Sequence, residues 1–265
     1  MHSQHILRLL LPAIWLMAFL PAGAGVAVIN GLTHEVTLAP GETTRGKIEI
    51  QNTSATATAV KLTQSDYWYS HLGESRYDAP GTNPRSNTSW VTLSSFYVTL
   101  GPHETKTVEF EMAAPSSDTL SGTYWSVVLV EGMAPPDTTS SRKGVSISTV
   151  TRYAVQIIAH IGETGLRDLR FDHLTLARDH DTPSLHVDIS NPGSRSLRPE
   201  VALELFDAGG RSLGVIKADR KRIYPGTSAR FTLILPSAEP GRYTGVLVAD
   251  CDEDHIFGTN VNLDL

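Results

Sequence analysis

Gly122-Thr123-Tyr124-Trp125-Ser126-Val127-Val128-Leu129-Val130 returns later in the chain as Gly241-Arg242-Tyr243-Thr244-Gly245-Val246-Leu247-Val248. Both copies open on glycine, place tyrosine two positions on and run into β-branched and aliphatic residues, side chains that suit a pleated, half-buried strand. Both follow proline-bearing turns, Pro115 upstream of the first, Pro236 and Pro240 upstream of the second. Each is also preceded by a matching turn and strand. Leu100-Gly101-Pro102-His103-Glu104-Thr105 leads into Val108 to Met112, and Tyr224-Pro225-Gly226-Thr227-Ser228 leads into Phe231 to Leu235. A third version, Leu38-Ala39-Pro40-Gly41-Glu42-Thr43, leads into Gly46 to Gln51. One strand order used twice predicts two similar β domains.

The pattern continues outward from these segments. Lys47-Ile48-Glu49-Ile50-Gln51 and Leu185-His186-Val187-Asp188-Ile189 alternate apolar and polar residues, so that a sheet buries one face and wets the other. No stretch after the N-terminal region holds apolar residues at helical spacing, and Gly, Pro, Asn and Ser separate the short runs. The fold class expected is all-β, two tandem immunoglobulin-like β-sandwich domains at residues 25–163 and 164–265. In such sandwiches a tyrosine near the start of strand F bonds back to the chain, and Tyr124 and Tyr243 stand where it is expected.

Just before the boundary, Val145 to Ile161 runs without Gly or Pro, longer than a typical strand of about 5–6 residues. Val145, Ile147, Tyr153, Val155, Ile157 and Ile161 share one parity; Val150, Arg152, Ala154, Ile158 and His160 share the other. A strand apolar on both faces is either central in a buried sheet or an edge that a partner covers. The segment ahead of it, with Pro135-Pro136-Asp137-Thr138-Thr139, reads as a long loop.

The N-terminus sets the compartment. His2, His5 and Arg8 precede the apolar run Leu9 to Leu20, and Ala22-Gly23-Ala24 follows as an A-x-A cleavage site. This predicts a signal peptide over residues 1–24 and a periplasmic or extracellular product. No later stretch is apolar enough to span a bilayer, so no membrane span is expected after cleavage. Cys251 is the single cysteine, so each sandwich must stand on its own core without an internal disulfide. A net charge of -6 without long charge runs argues against nucleic acid as a partner.

The order of segments resembles a family. A short first strand, a Pro-Gly turn, the strand Ile48-Glu49-Ile50-Gln51 ending in Asn52, the segment Ser89-Trp90-Val91, the strand from Gly122, a long loop and a long last strand look like the periplasmic pilus-assembly chaperones. Those are boomerangs of two immunoglobulin-like domains, and the WxL-interacting surface proteins have a similar first domain. The resemblance implies that the long strand is lent to an envelope or fimbrial subunit lacking one of its own. Backbone bonds to a sheet edge would then supply affinity, and alternate side chains would fill the subunit's groove. Val145, Ile147, Tyr153, Val155 and Ile157 are the implied pocket-fillers, so Val155→Asp and Ile157→Asp are expected to abolish capture while leaving the domain folded. The family also grips the subunit's terminal carboxylate with one basic residue on the first strand and one on the long strand. Arg152 matches the second position, and His34 stands where an arginine would be expected at the first.

No catalytic or metal motif is evident: the chain has no Gly-rich phosphate loop, no H-E-x-x-H, no G-x-S-x-G and no paired cysteines. A non-enzymatic protein without cofactor or metal is expected. The acidic clusters Asp250 to His255 and Arg178 to Asp181 read as polar turns, and Asp66-Tyr67-Trp68-Tyr69 with Trp90, Phe96 and Tyr97 as packing aromatics or a sugar platform. The alternative to strand complementation is an envelope-associated binding or adhesion module that recognises a surface protein or polymer without donating a strand.

Overall fold

The computed structural model describes residues 25–133, 150–179, 182–236, 239–251 and 254–265. The expected signal peptide, the loop after Met133, Val145 and Ile147 lie outside the described residues. So do parts of both acidic clusters.

The first sandwich is formed by β1 (Ala27–Val28), β2 (Thr33–Leu38), β3 (Thr43–Gln51), β4 (Thr58–Tyr69), β5 (Ser75–Asp78), β6 (Val91–Leu93), β7 (Tyr97–Leu100), β8 (Thr105–Ala113), β9 (Gly122–Met133) and β10 (Arg152–Ile161). The second contains β11 (Arg170–Asp179), β12 (Thr182–Ser190), β13 (Glu200–Phe206), β14 (Ser212–Lys217), β15 (Ser228–Ile234), β16 (Arg242–Asp250) and β17 (Ile256–Asp264). In the first, a sheet ordered β1-β3-β8-β6 faces one ordered β2-β10-β9-β4-β5, with β7 also on β4. In the second, β11-β12-β15 faces β14-β13-β16-β17. Among the described residues, the pairings between these strands are antiparallel except β2 with β10. Among the described residues, no helix is long and apolar enough to cross a membrane.

Alternation does the work that the sequence assigns to it. Ile48 and Ile50 are wholly buried while Lys47 points outward, and Val108, Phe110 and Met112 alternate likewise on β8. They meet Leu62, Val128, Val130, Val155 and Ile157 from the facing sheet in one core. The second sandwich closes over Val187, Ile189 and Phe231 on one side and Leu203, Leu205 and Leu247 on the other. Tyr243 forms the expected corner, its hydroxyl donating to the Glu239 carbonyl at 2.7 Å. Tyr124 does not do the same. Its ring lies 4.6 Å from that of Trp90, with the Arg85 guanidinium 5.4 Å from its centroid.

β9 is buried on both faces because the second sandwich covers the outer face of its sheet. Trp125 of β9 stacks on Tyr224 at 4.5 Å and 7°, and Ile158 of β10 joins them. Two glycines permit this closeness. Gly122 has φ +77°, and a Cβ there would lie 2.0 Å from the Ser194 carbonyl oxygen; a Cβ on Gly165, φ +96°, would lie 2.5 Å from Gly122 Cα.

Candidate functional site

β2 lies alongside only part of β10. The parallel register starts at Thr33 against Gln156 and runs to Leu38 against Ile161, and the Gln156 N–H donates to the Leu32 carbonyl at 2.9 Å. Along a strand, alternate residues turn their backbone groups to the same side. Gln156 faces β2, so the N–H and C=O of Arg152 and Ala154 point the same way, beyond the reach of β2. Among the described residues no strand is registered against them. Around this short open edge, Ile29, Leu32, Met133 and Val150 are each 43–48% exposed. Among the described residues, the site is a backbone edge without a strand partner, within an apolar surround.

The expected site residues divide at this edge. Val155 and Ile157 are wholly buried in the first core and Tyr153 packs against it. This corrects the expectation for Val155 and Ile157: the register turns their parity toward the facing sheet, where β3 and β8 already occupy the groove a subunit would offer. Of the long strand expected over Val145 to Ile161, β2 covers residues 156–161.

Arg152 and His34 do not come together. Arg152 is on the outward parity, and it pairs with Glu131 of β9 through Nε at 2.7 Å and Nη2 at 2.6 Å. His34 stands beside Ile157 on the inward parity, edge-on to Phe110 at 5.6 Å, and burial lowers its pKa. Its Nε2 is buried without a hydrogen-bond partner. The two side chains lie on opposite faces of one sheet, so the paired carboxylate grip implied by the resemblance is not formed by these residues.

Sequence reasoning missed the polar elbow between the sandwiches. Glu35, on the outward parity of β2, receives two parallel bonds from Arg222, Nη1 to Oε1 at 2.7 Å and Nη2 to Oε2 at 2.6 Å. His160 Nε2 stands 2.6 Å from Glu35 Oε1, and its Nδ1 stands 2.8 Å from Thr123 Oγ1. The Ser196 N–H donates to that same Thr123 oxygen at 2.9 Å. A carboxylate only accepts, so the His160 Nε2–H donates to Glu35. The His160 bond and the Arg222 guanidinium hold the Glu35 carboxyl at about 2 against its ordinary 4.5. Nearby, the Tyr224 hydroxyl donates to Gln156 Oε1, the Tyr69 hydroxyl donates to the Arg222 carbonyl, and Trp68 Nε1 donates to the Gly226 carbonyl at 3.0 Å. The outward parity of β10 (Gln156, Ile158, His160) was the signal available. Half apolar and half polar, it faces a second surface and not water.

A further cluster crosses the junction beyond the β4–β5 turn. His71 Nδ1 is 2.9 Å from Ser228 Oγ, and its Nε2 is 3.7 Å from Asp188, which Arg230 grips with two bonds of 2.7 and 2.8 Å. Burial pushes the Asp188 carboxyl up, but the Arg230 pair outweighs it and holds the group below its ordinary value. Among the described residues no group of His, Cys, Asp and Glu has the arrangement of a metal centre.

No family model matches the chain, and no curated protein matches it. Among solved structures it is similar to the class 5 fimbriae chaperone CfaA, at 13% identity and a TM-score of 0.48 over 89% of this chain and 98% of that one. It is also similar to a chain of the chaperone–tip adhesin complex of CFA/I fimbriae biogenesis, at 14% and 0.47 over 90% and 98%. A third is a chain of the CsuC–CsuE pre-assembly complex of Acinetobacter baumannii, at 12% and 0.43 over 89% and 96%. All three are similar to this chain at under 15% identity.

Proposed function

We propose that the chain is an exported, non-enzymatic assembly factor that holds an envelope or fimbrial subunit by adding a strand of it to the open edge of β10. One observation carries this reading. The backbone groups of Arg152 and Ala154 lie outside the register of β2, within a rim of half-exposed Ile29, Leu32, Met133 and Val150. An unpaired edge with an apolar rim pairs with another chain unless something guards it, and strand addition is the recognition mode that uses such an edge. The side chains offered to the subunit are those of the rim, while Val155 and Ile157 hold the sandwich together beneath it. The incoming strand is short, because Leu32 and β2 close the edge from Gln156 onward.

Ala154→Pro tests the reading. Proline at 154 removes one of the two N–H groups, those of Arg152 and Ala154, that face the open edge, and strands tolerate proline where that side is unpaired. Residues 25–265 are expressed in a periplasm with the native envelope proteins, captured, and the co-purifying proteins identified. Recovery of a strand-deficient subunit with the parent, lost with a normally melting Ala154→Pro, supports strand addition. Equal recovery with both proteins would end it.

A further inference from the structure

A cavity of about 760 Å³ opens between the β4–β5 hairpin and two turns of the second sandwich, at 192–193 and 225–226. In the sheet order β2-β10-β9-β4-β5 it lies at the end opposite β2, so a strand added to β10 would leave it free. Its walls are built in advance. The wholly buried Asp66 carboxylate accepts from the Thr82 hydroxyl, the Asn83 N–H at 2.7 Å and the Ser86 hydroxyl, which pins the loop after β5. The bond from Trp68 Nε1 to Gly226 fixes the indole, and the Arg76 guanidinium sits 4.2 Å from its ring centroid. Asn83 Oδ1 accepts the Arg85 N–H at 2.9 Å.

We propose that this cavity binds a neutral saccharide. Its volume is within the roughly 300–1,000 Å³ of small-molecule sites. Arg76 and Arg85 are balanced by Asp66 and Asp78 in the lining, so there is no net charge to draw an ionic ligand. An apolar ligand would bury Arg76 and Asp78, whose mutual approach of 3.8 Å is too long to satisfy either, at a cost in lost hydration. A proline-rich peptide suits the aromatic wall, but proline has no N–H to give Asp78, which can only accept. A saccharide meets all three demands. Its C–H groups lie against aromatic carbon of Trp68, its hydroxyls donate to Asp78, and its oxygens accept from Arg76 and the Asn83 amide.

The experiment uses the full mature chain with four neutral probes: maltotriose, cellotriose, mannotriose and triacetylchitotriose. Saturation-transfer NMR and the ¹H–¹⁵N signal of the Trp68 indole report binding. We expect at least one trisaccharide to saturate the Trp68 signal, with affinity lowered about tenfold by Arg76→Ala and again by Asp78→Ala, the loss of one charge-assisted bond each. Both residues are on the surface, so melting temperatures should hold. The proposal is overturned if no probe moves the indole at millimolar concentration, if binding survives the double substitution, or if an oligoproline peptide binds there and the sugars do not.

Discussion

Glu35 ties three elements together while remaining a little over a third exposed, with Arg222 and His160 as its partners. Its folded pKa is about 2 against an ordinary 4.5, so its contribution is fully present above pH 4.5 and is lost as pH falls toward 2. Water screens a carboxylate this exposed, and the effect is correspondingly small. Thermal melts between pH 5 and pH 2 should show a downward slope that is shallower in Glu35→Gln than in the parent, Asp188 supplying part of the remainder; matching slopes would remove Glu35 as a cause. Val155→Asp and Ile157→Asp now carry the opposite expectation from the sequence-based one. Each would place an unpaired charge in a closed core, costing on the order of 4 kcal/mol or more, so the first sandwich should fail to fold. A native circular-dichroism spectrum for either variant would return these side chains to the partner surface. The parity of these residues was plain in the sequence; which parity faced inward was not. That depends on the pairing with β9 and β2, whose partners lie far away along the chain.

At the scale of elements, the repeated segments at Gly122 and Gly241 were read as equivalent strands, and each is the central partner of its sheet, β9 between β10 and β4, β16 between β13 and β17. Alternation and turn residues made them legible, because both are local signals. β10 is described over ten residues, fewer than the twelve of β4 and of β9, and its two apolar faces have separate owners. The inward one belongs to its own sandwich and the outward one to Trp125 and Tyr224. Sequence periodicity counts faces without naming what covers them. Arg152 illustrates the cost: an arginine on a strand reads as a ligand grip, yet its two bonds go to Glu131 on the neighbouring strand. Arg152→Ala should therefore shift the melting temperature little, as for an exposed pair worth at most about 1 kcal/mol. In the same capture experiment as Ala154→Pro it should leave subunit recovery unchanged. Loss of recovery would restore Arg152 to the binding surface.

At the scale of the molecule, the two sandwiches meet over a stacked Trp125–Tyr224 pair with hydrogen bonds on both sides of it, at Glu35–Arg222 and at His71–Ser228. Gly122 decides whether they close. Gly122→Ala sets a side chain into left-handed backbone and against the Ser194 carbonyl, a cost of about 2 kcal/mol or more concentrated at the junction. Calorimetry should resolve two transitions in place of one, and small-angle scattering should give a larger radius of gyration; an unchanged profile would mean that the junction tolerates the methyl.

The parallel pairing of β2 with β10 also has a bearing on the order in which the chain can fold. These strands stand at the two ends of the first sandwich's sequence, more than a hundred residues apart, yet they are neighbours in one sheet. A chain threaded through a membrane N-terminus first delivers β2 early and must keep it unpaired until β10 emerges. Contacts this distant form slowly and leave sheet edges bare in the meantime. Until β10 is in place, the first half of this protein therefore needs for β2 the kind of protection that its open edge would extend to others.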